Sequence, residues 1–183
     1  RKGGIPMLTN ETLHTLETRR SCRAYQDRPV DPEALAAVVR AGTFAPTGMG
    51  GQSPVIVVVQ DKATRDTLSR LNAAVMGNTS DPFYGAPVVA VVLADTARGT
   101  WQYDGSLVMG NMLNAAASVG LGSCWIHRAK EVFESAEGKA LLAQWGVPNA
   151  ERLVGIGNCI LGYPAPGGEK PAAPRKENYV LYV

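Results

Sequence analysis

Long hydrophobic runs are missing from this chain of 183 residues. Its two main apolar stretches, Ser53–Val59 and Ala86–Ala94, are far shorter than the ~18 residues that span a bilayer, so the sequence offers no membrane-spanning candidate. The basic start Arg1–Pro6 is followed by no apolar signal-peptide core and reads as an extension. Positions 1–7 are therefore set apart from a single domain over 8–183.

An excess of one charge is missing too. Lys+Arg 18 against Asp+Glu 16 leaves +2, which argues against a dedicated nucleic-acid or membrane-surface binder. Cysteine is scarce: Cys22, Cys124 and Cys159 are widely spaced, with no C-x-x-C. That pattern excludes a disulfide framework or a zinc ribbon and fits a reducing cytoplasm. The two histidines, His14 and His127, lie in no triad or metal spacing, so no metal site is expected. There is no G-x-S-x-G and no G-x-x-x-x-G-K-S/T. Gly155-Ile156-Gly157-Asn158-Cys159-Ile160 begins like a dinucleotide fingerprint but lacks its last glycine and reads as strand. Hydrolase, P-loop and Rossmann chemistry are left without support.

What is present is apolar material for a core, 45% of the chain, together with 20 glycines and 12 prolines. Leu8, Leu13 and Leu16 form a helical stripe. Asp31-Pro32-Glu33 opens a second helix, with an acceptor at the cap and proline at the first position, running to Gly42. The loop Ala45–Pro54 leads into the strand Val55–Val59, and Asp61 caps a helix carrying Leu68, Leu71 and Val75. Val88–Leu93 is a strand apolar on both faces. Trp101–Val119 is a helix so rich in small residues that other backbones should press against it. Ser123–Ile126 reads as a strand, Glu131–Trp145 as one amphipathic helix, and Leu153–Leu161 as a strand with Gly155 and Gly157 on one face. The tail Gly162–Lys176 is irregular, and Tyr179–Val183 is a candidate last strand.

Four clusters bear on chemistry. Arg19, Arg20, Ser21 and Arg23 provide guanidinium forks and a hydroxyl within five residues, suited either to a phosphate or to a solvated turn paired with Glu17 and Asp27. The glycine-rich loop Ala45–Pro54, with Met49 and Gln52, either admits a flat ligand to the backbone or simply connects helix to strand. Gly120–Trp125 offers backbone N–H groups, while Cys124 reads as a buried small hydrophobe rather than a nucleophile. Lys170, Arg175 and Lys176 form a basic tail among prolines.

The order of these segments is more specific than any one of them. Arg-Arg-Ser-x-Arg-x-Tyr comes first, then Ala-Pro-Thr-Gly…Gln-Ser-Pro before a valine-rich strand, and Tyr84-Gly85-Ala86-Pro87 before the next. Asp104…Val-Gly-Leu-Gly-Ser-Cys-Trp follows, and Leu161-Gly162-Tyr163-Pro164 leads to Pro174-Arg175-Lys176. From about Leu8 to Tyr179 the chain resembles the nitroreductase family of FMN-dependent oxidoreductases. The resemblance implies an α+β fold, a central mixed but mostly antiparallel sheet wrapped by helices, and a homodimer with FMN at the subunit interface. It implies hydride transfer from NADH or NADPH through FMN to an electron-poor small molecule, a nitroaromatic or quinone, in alternating half-reactions. No protein side chain would be the catalyst. Alternatives are a branch performing enone reduction or dehalogenation, or an FMN-binding protein without turnover.

By the same resemblance Arg19 and Ser21 take the phosphate and ribityl end, assisted by Arg20, and Arg23 faces the N1/O2 edge of the flavin. Thr47, Gly48 and Gln52 border the ring from the other subunit. Backbone groups of Gly122, Ser123 and Cys124 lie against the flavin, and Arg175 with Lys176 closes on the phosphate. Many relatives carry Asn-x-Gln-Pro-Trp where this chain has Gly50-Gly51-Gln52-Ser53-Pro54, so ring recognition rests on Gln52 and the backbone.

Overall fold

The computed structural model describes residues 6–183; most of the expected extension lies outside them. Helices begin where the sequence supplies caps. Asn10 accepts from the Leu13 N–H at 2.8 Å and starts α1, Glu11–Thr18. Asp61 does the same for Thr64 at 2.8 Å and starts α3, Lys62–Val75. Asp31 stands at the cap position of α2, Pro32–Thr43, yet makes no capping bond. Its carboxylate accepts from the Tyr163 hydroxyl at 2.7 Å instead, so a residue far along the chain wins the acceptor and Pro32 alone opens the helix.

The strands are β1, Pro54–Val59; β2, Val88–Asp95; β3, Gly122–Ile126; and β4, Leu153–Gly162. They form one sheet in the order β1-β2-β4-β3, every pair antiparallel. The mixed character expected of the sheet is reduced to an isolated parallel bridge between Ser21 and Ser123. β2 sits inside the sheet and sends alternate side chains to two cores. Val92 and Ala94 join Val38, Met109 and Met112 beneath α2 and α4 (Trp101–Ser118); Val91 and Leu93 join Leu68, Phe83 and Leu142 on the side of α3. Met109 and Met112 are fully buried, each worth roughly 1.5–3 kcal/mol of apolar burial.

The expected helix over 131–145 is divided into α5, Ala129–Glu134, and α6, Ala136–Gln144. Ser135 is extended and caps the second piece through its hydroxyl, which accepts from Gly138 N–H at 3.0 Å. Gly155 and Gly157 do not share a face. The register of β4 against β2 slips between Val92 and Leu93, so Ile156 is an extra residue. A Cβ on Gly155 would meet the backbone of Ala129, whereas one on Gly157 would meet the Trp125 indole on the other face. Ile156 turns towards α4, where Gly105 makes room for it. That glycine thus serves packing within the subunit. Tyr179–Val183 pairs with no strand and is exposed.

The register also fixes two ends of the sheet. Val88 pairs with Leu161 and Gly122 with Gly162 at one end; Pro54 pairs with Ala94 and Asp95 with Leu153 at the other. β2 spans the gap, ~24 Å at ~3.4 Å per residue.

Candidate functional site

At the first end, residues 21–25 lie as a ribbon beside β3 and the chain after β4. Cys22 N–H donates to Ser123 O and Arg23 N–H to Gly168 O, both at 2.8 Å, and Tyr25 bridges to Pro164. Gly122 permits the approach, since a Cβ there would stand 2.8 Å from the Cys22 side chain. Ser21, Gly122, Ser123 and Cys124 are thereby brought together.

Arg19 follows the last turn of α1, its N–H held by Thr15 O at 3.0 Å. Its Nη1 is buried and has no hydrogen-bond partner. Arg20 turns back and donates to the carbonyls of Glu17 and Arg19 at 2.9 and 2.6 Å. Both arginines line a cavity of about 560 Å³ between α1, the end of α4 and the chain near Glu169. A buried guanidinium nitrogen without an acceptor costs free energy that a phosphate oxygen would recover. Guanidinium donors of this kind fit a phosphate ester.

Arg23 and Cys124 border a second cavity of about 330 Å³. Burial pushes the thiol of Cys22 up, and that of Cys159 up to about 12, so both stay protonated near neutral pH. A buried thiol held protonated is a poor nucleophile.

Thr47, Gly48 and Gln52 stand at the opposite end of the sheet, before Pro54. A buried carboxylate organises them. Asp104, on the inner face of α4 and 2% exposed, accepts from Gly48 N–H at 2.9 Å, Ser53 Oγ at 2.8 Å and Thr100 Oγ1 at 3.0 Å. Burial opposes its ionisation most strongly, but these donors together hold its carboxyl below the usual range. Thr47 Oγ1 accepts from Gln52 N–H at 3.0 Å. The loop so held puts Met49 and Gln52 at φ 53° and 47°, both left-handed, with their side chains in solvent.

Arg175 and Lys176 join neither group. Arg175 donates to Ala173 O at 2.7 Å, and Lys176 stands over the Tyr179 ring on an exposed tail. Among the described residues no helix is long and apolar enough to cross a membrane, and no group of three His, Cys, Asp or Glu is placed to hold a metal.

Comparison with known proteins adds a decisive match: the model of the Nitroreductase family covers residues 16–163. The chain belongs to the nitroreductase family. A solved nitroreductase from Bacteroides fragilis, with bound FMN, superposes with a TM-score of 0.87 at 29% identity, covering 96% of this chain and 100% of that one. Another with bound FMN, from Desulfitobacterium hafniense, gives 0.82 at 25% identity, over 96% and 100%. The FMN reductase [NAD(P)H] of Bacillus subtilis is 26% identical over 195 residues, 91% of this chain and 72% of its own length.

Within this nitroreductase chain, sequence reasoning missed two positions. Asp104 stood only as a motif letter, although an acid in an apolar helix is a signal for a buried hydrogen-bond hub. Asn72, 0% exposed on α3, clamps the turn at His127 and Arg128 through its side-chain amide. Its only trace in the sequence is a polar residue next to Leu71 on a core-facing helix.

Proposed function

We infer that this chain is an FMN-dependent NAD(P)H oxidoreductase whose site is assembled from two copies. The observation that carries the reading is the unpartnered, buried Nη1 of Arg19, a residue that lines the 560 Å³ cavity and precedes Ser21, which is bridged to Ser123. When bound, FMN supplies the hydride chemistry, taking two electrons from NADH or NADPH and passing them to a nitroaromatic or quinone acceptor in alternating half-reactions. Arg19 and Ser21, with Arg20, hold the phosphate and ribityl end. Arg23 sets positive charge against the N1/O2 edge, where it favours negative charge on the ring. Backbone groups of Gly122, Ser123 and Cys124 carry the ring, and the basic tail at Arg175 and Lys176 closes on the phosphate.

Thr47, Gly48 and Gln52 belong to the same site but stand ~24 Å of strand away from it within one copy. A second copy brings them near. The surface available for pairing is apolar: Leu8, Leu16, Phe44, Tyr103 and Leu107 are all exposed, and α1 buries none of its side chains.

The test is purification. The protein should be yellow, release FMN on heating, sediment as a dimer, and oxidise NAD(P)H with a nitroaromatic or quinone. A colourless protein that FMN does not reconstitute overturns the reading. A yellow one without turnover reduces it to an FMN-binding protein.

A further inference from the structure

The second cavity, about 330 Å³, is lined by two residues in the left-handed region without being glycine: Arg128 at φ 75° and Tyr84 at φ 52°. Such backbone costs about 1 kcal/mol or more per residue and persists only where surroundings enforce it. Both are enforced here. Asn72 accepts from Arg128 Nε at 3.0 Å and donates to His127 O at 2.8 Å, so one buried amide fixes both the turn and the side chain. Asp81 accepts from the N–H groups of Phe83 and Gly85 at 3.0 and 2.8 Å, which fixes the turn carrying Tyr84.

Charge in this cavity is unbalanced. Asp81 is the one acid lining it, and its carboxylate is already taken by Arg65 Nη2 at 2.5 Å, Ser69 Oγ at 2.6 Å and the two N–H groups. Arg23 and Arg128 also line it, and neither guanidinium meets a carboxylate among the described residues. Arg128 donates only through Nε, leaving its terminal nitrogens for another acceptor. Tyr84 and Met76, 43% and 48% exposed, offer flat and deformable apolar surface beside the two cations.

We propose that Arg128 is a specificity-determining residue, which receives an anionic group, carboxylate or phosphate, of a reactant that uses this cavity beside Arg23. The assignment rests on the oxidoreductase reading and adds a substrate class to it. Asn72 acts through Arg128 as its positioning residue. Arg23 is held for the flavin edge, so the clamped Arg128 is the cation free to discriminate between reactants.

The decisive variant is Arg128→Gly, because glycine keeps the left-handed turn while removing the cation together with its Nε donor to Asn72, which remains bonded to His127 O. Arg128→Lys restores a charge without the fork. Two ratios of kcat/KM are measured on the holoenzyme, 4-nitrobenzoate over nitrobenzene and NADPH over NADH, with calorimetry of benzoate binding as a readout that needs no turnover. A charge-assisted contact predicts that Arg128→Gly lowers one ratio about tenfold or more, with partial recovery in Arg128→Lys. A fall in the first ratio, with weaker benzoate binding, assigns the anion to the acceptor; a fall in the second assigns it to the reductant. Unchanged ratios with unchanged benzoate binding overturn the proposal. That outcome in a yellow, active enzyme leaves the oxidoreductase reading standing, whereas a colourless protein strikes that reading and not the benzoate measurement.

Discussion

The two halves of the proposed site are built by different means. The ribbon at Arg19–Arg23 is held through main-chain bonds to β3 and to the chain after β4, with few side chains involved. The loop at Thr47–Ser53 hangs from one carboxylate, Asp104, which ties Gly48, Ser53 and Thr100 to α4. Backbone bridging spreads the constraint over many weak bonds and leaves the Arg19 and Ser21 side chains uncommitted, while Arg20 bonds back to Glu17 and Arg19 carbonyls. A single buried acid concentrates it, so the loop side is the one that a point substitution can release.

The largest expected effect joins the halves. Gly110 follows exposed Leu107 by one turn of α4 and has open space where a Cβ would stand, so Gly110→Leu meets no neighbour of its own subunit at that atom. On the dimer proposed here the new side chain separates the copies, giving monomer and loss of yellow colour together, read by sedimentation and absorbance. A monomer that keeps stoichiometric FMN would show that one copy holds FMN without the loop of a second.

Asp104→Ala comes next. It strands three donors around a buried position, and the loss should be on the order of 3 kcal/mol, lowering Tm by roughly 6–12 °C. Gly122→Ala, at the bridged end, is the contrasting variant, with a crowding cost of about 1–3 kcal/mol. If calorimetry shows Asp104→Ala to be the milder of the two, the loop is not hung from the carboxylate. Acid gives the same contrast. The folded carboxyl of Asp104 lies below its ordinary value of 3.8, so its contribution is present above that pH and lost as pH falls through the lower, folded value. Asp104→Asn should flatten the acid limb of the stability curve.

Arg19→Ala should weaken FMN binding roughly 10- to 150-fold, the value of one charge-assisted contact to phosphate, measured by titration of the apoprotein. Stability without FMN should hold or rise, because the unpartnered Nη1 is removed with its cost. A destabilised apoprotein with unchanged affinity would show the arginine to be structural.

The smallest effect belongs to the tail. Arg175 is exposed, and a cation closing on phosphate from solvent is worth ~0–1 kcal/mol, so Arg175→Ala should cost no more than about fivefold in FMN affinity. A loss equal to that of Arg19→Ala would mean that the tail seats deeply on the bound ligand.

Local chemistry explains how much of this could be read in advance. Caps at Asn10 and Asp61, the valine runs of β1 and β2, and the glycine after α4 act within a few residues, so their elements stand close to where the pattern places them. The Arg19–Arg23, Thr47–Gln52 and Gly122–Cys124 segments were legible as candidates because each is a short run of suitable residue types. Their arrangement was not legible. Asp31 is at a cap position, but Tyr163 takes its carboxylate; Ile156 bulges because β2 slips against β4; Arg128 turns left-handed because Asn72 holds it. Each outcome depends on a partner more than fifty residues away in the chain, or on another strand.

By itself, then, the sequence determined the helix starts, the buried strands, and the family through the order of its motifs. Tertiary structure alone decided that the two candidate halves stand at opposite ends of one antiparallel sheet, that Asp104 organises one of them, and that the Nη1 of Arg19 is left buried without an acceptor at the other. The reason is range. Propensity and capping act over three or four residues, whereas strand register and buried hydrogen bonds are settled only when distant segments compete for the same donors and the same space.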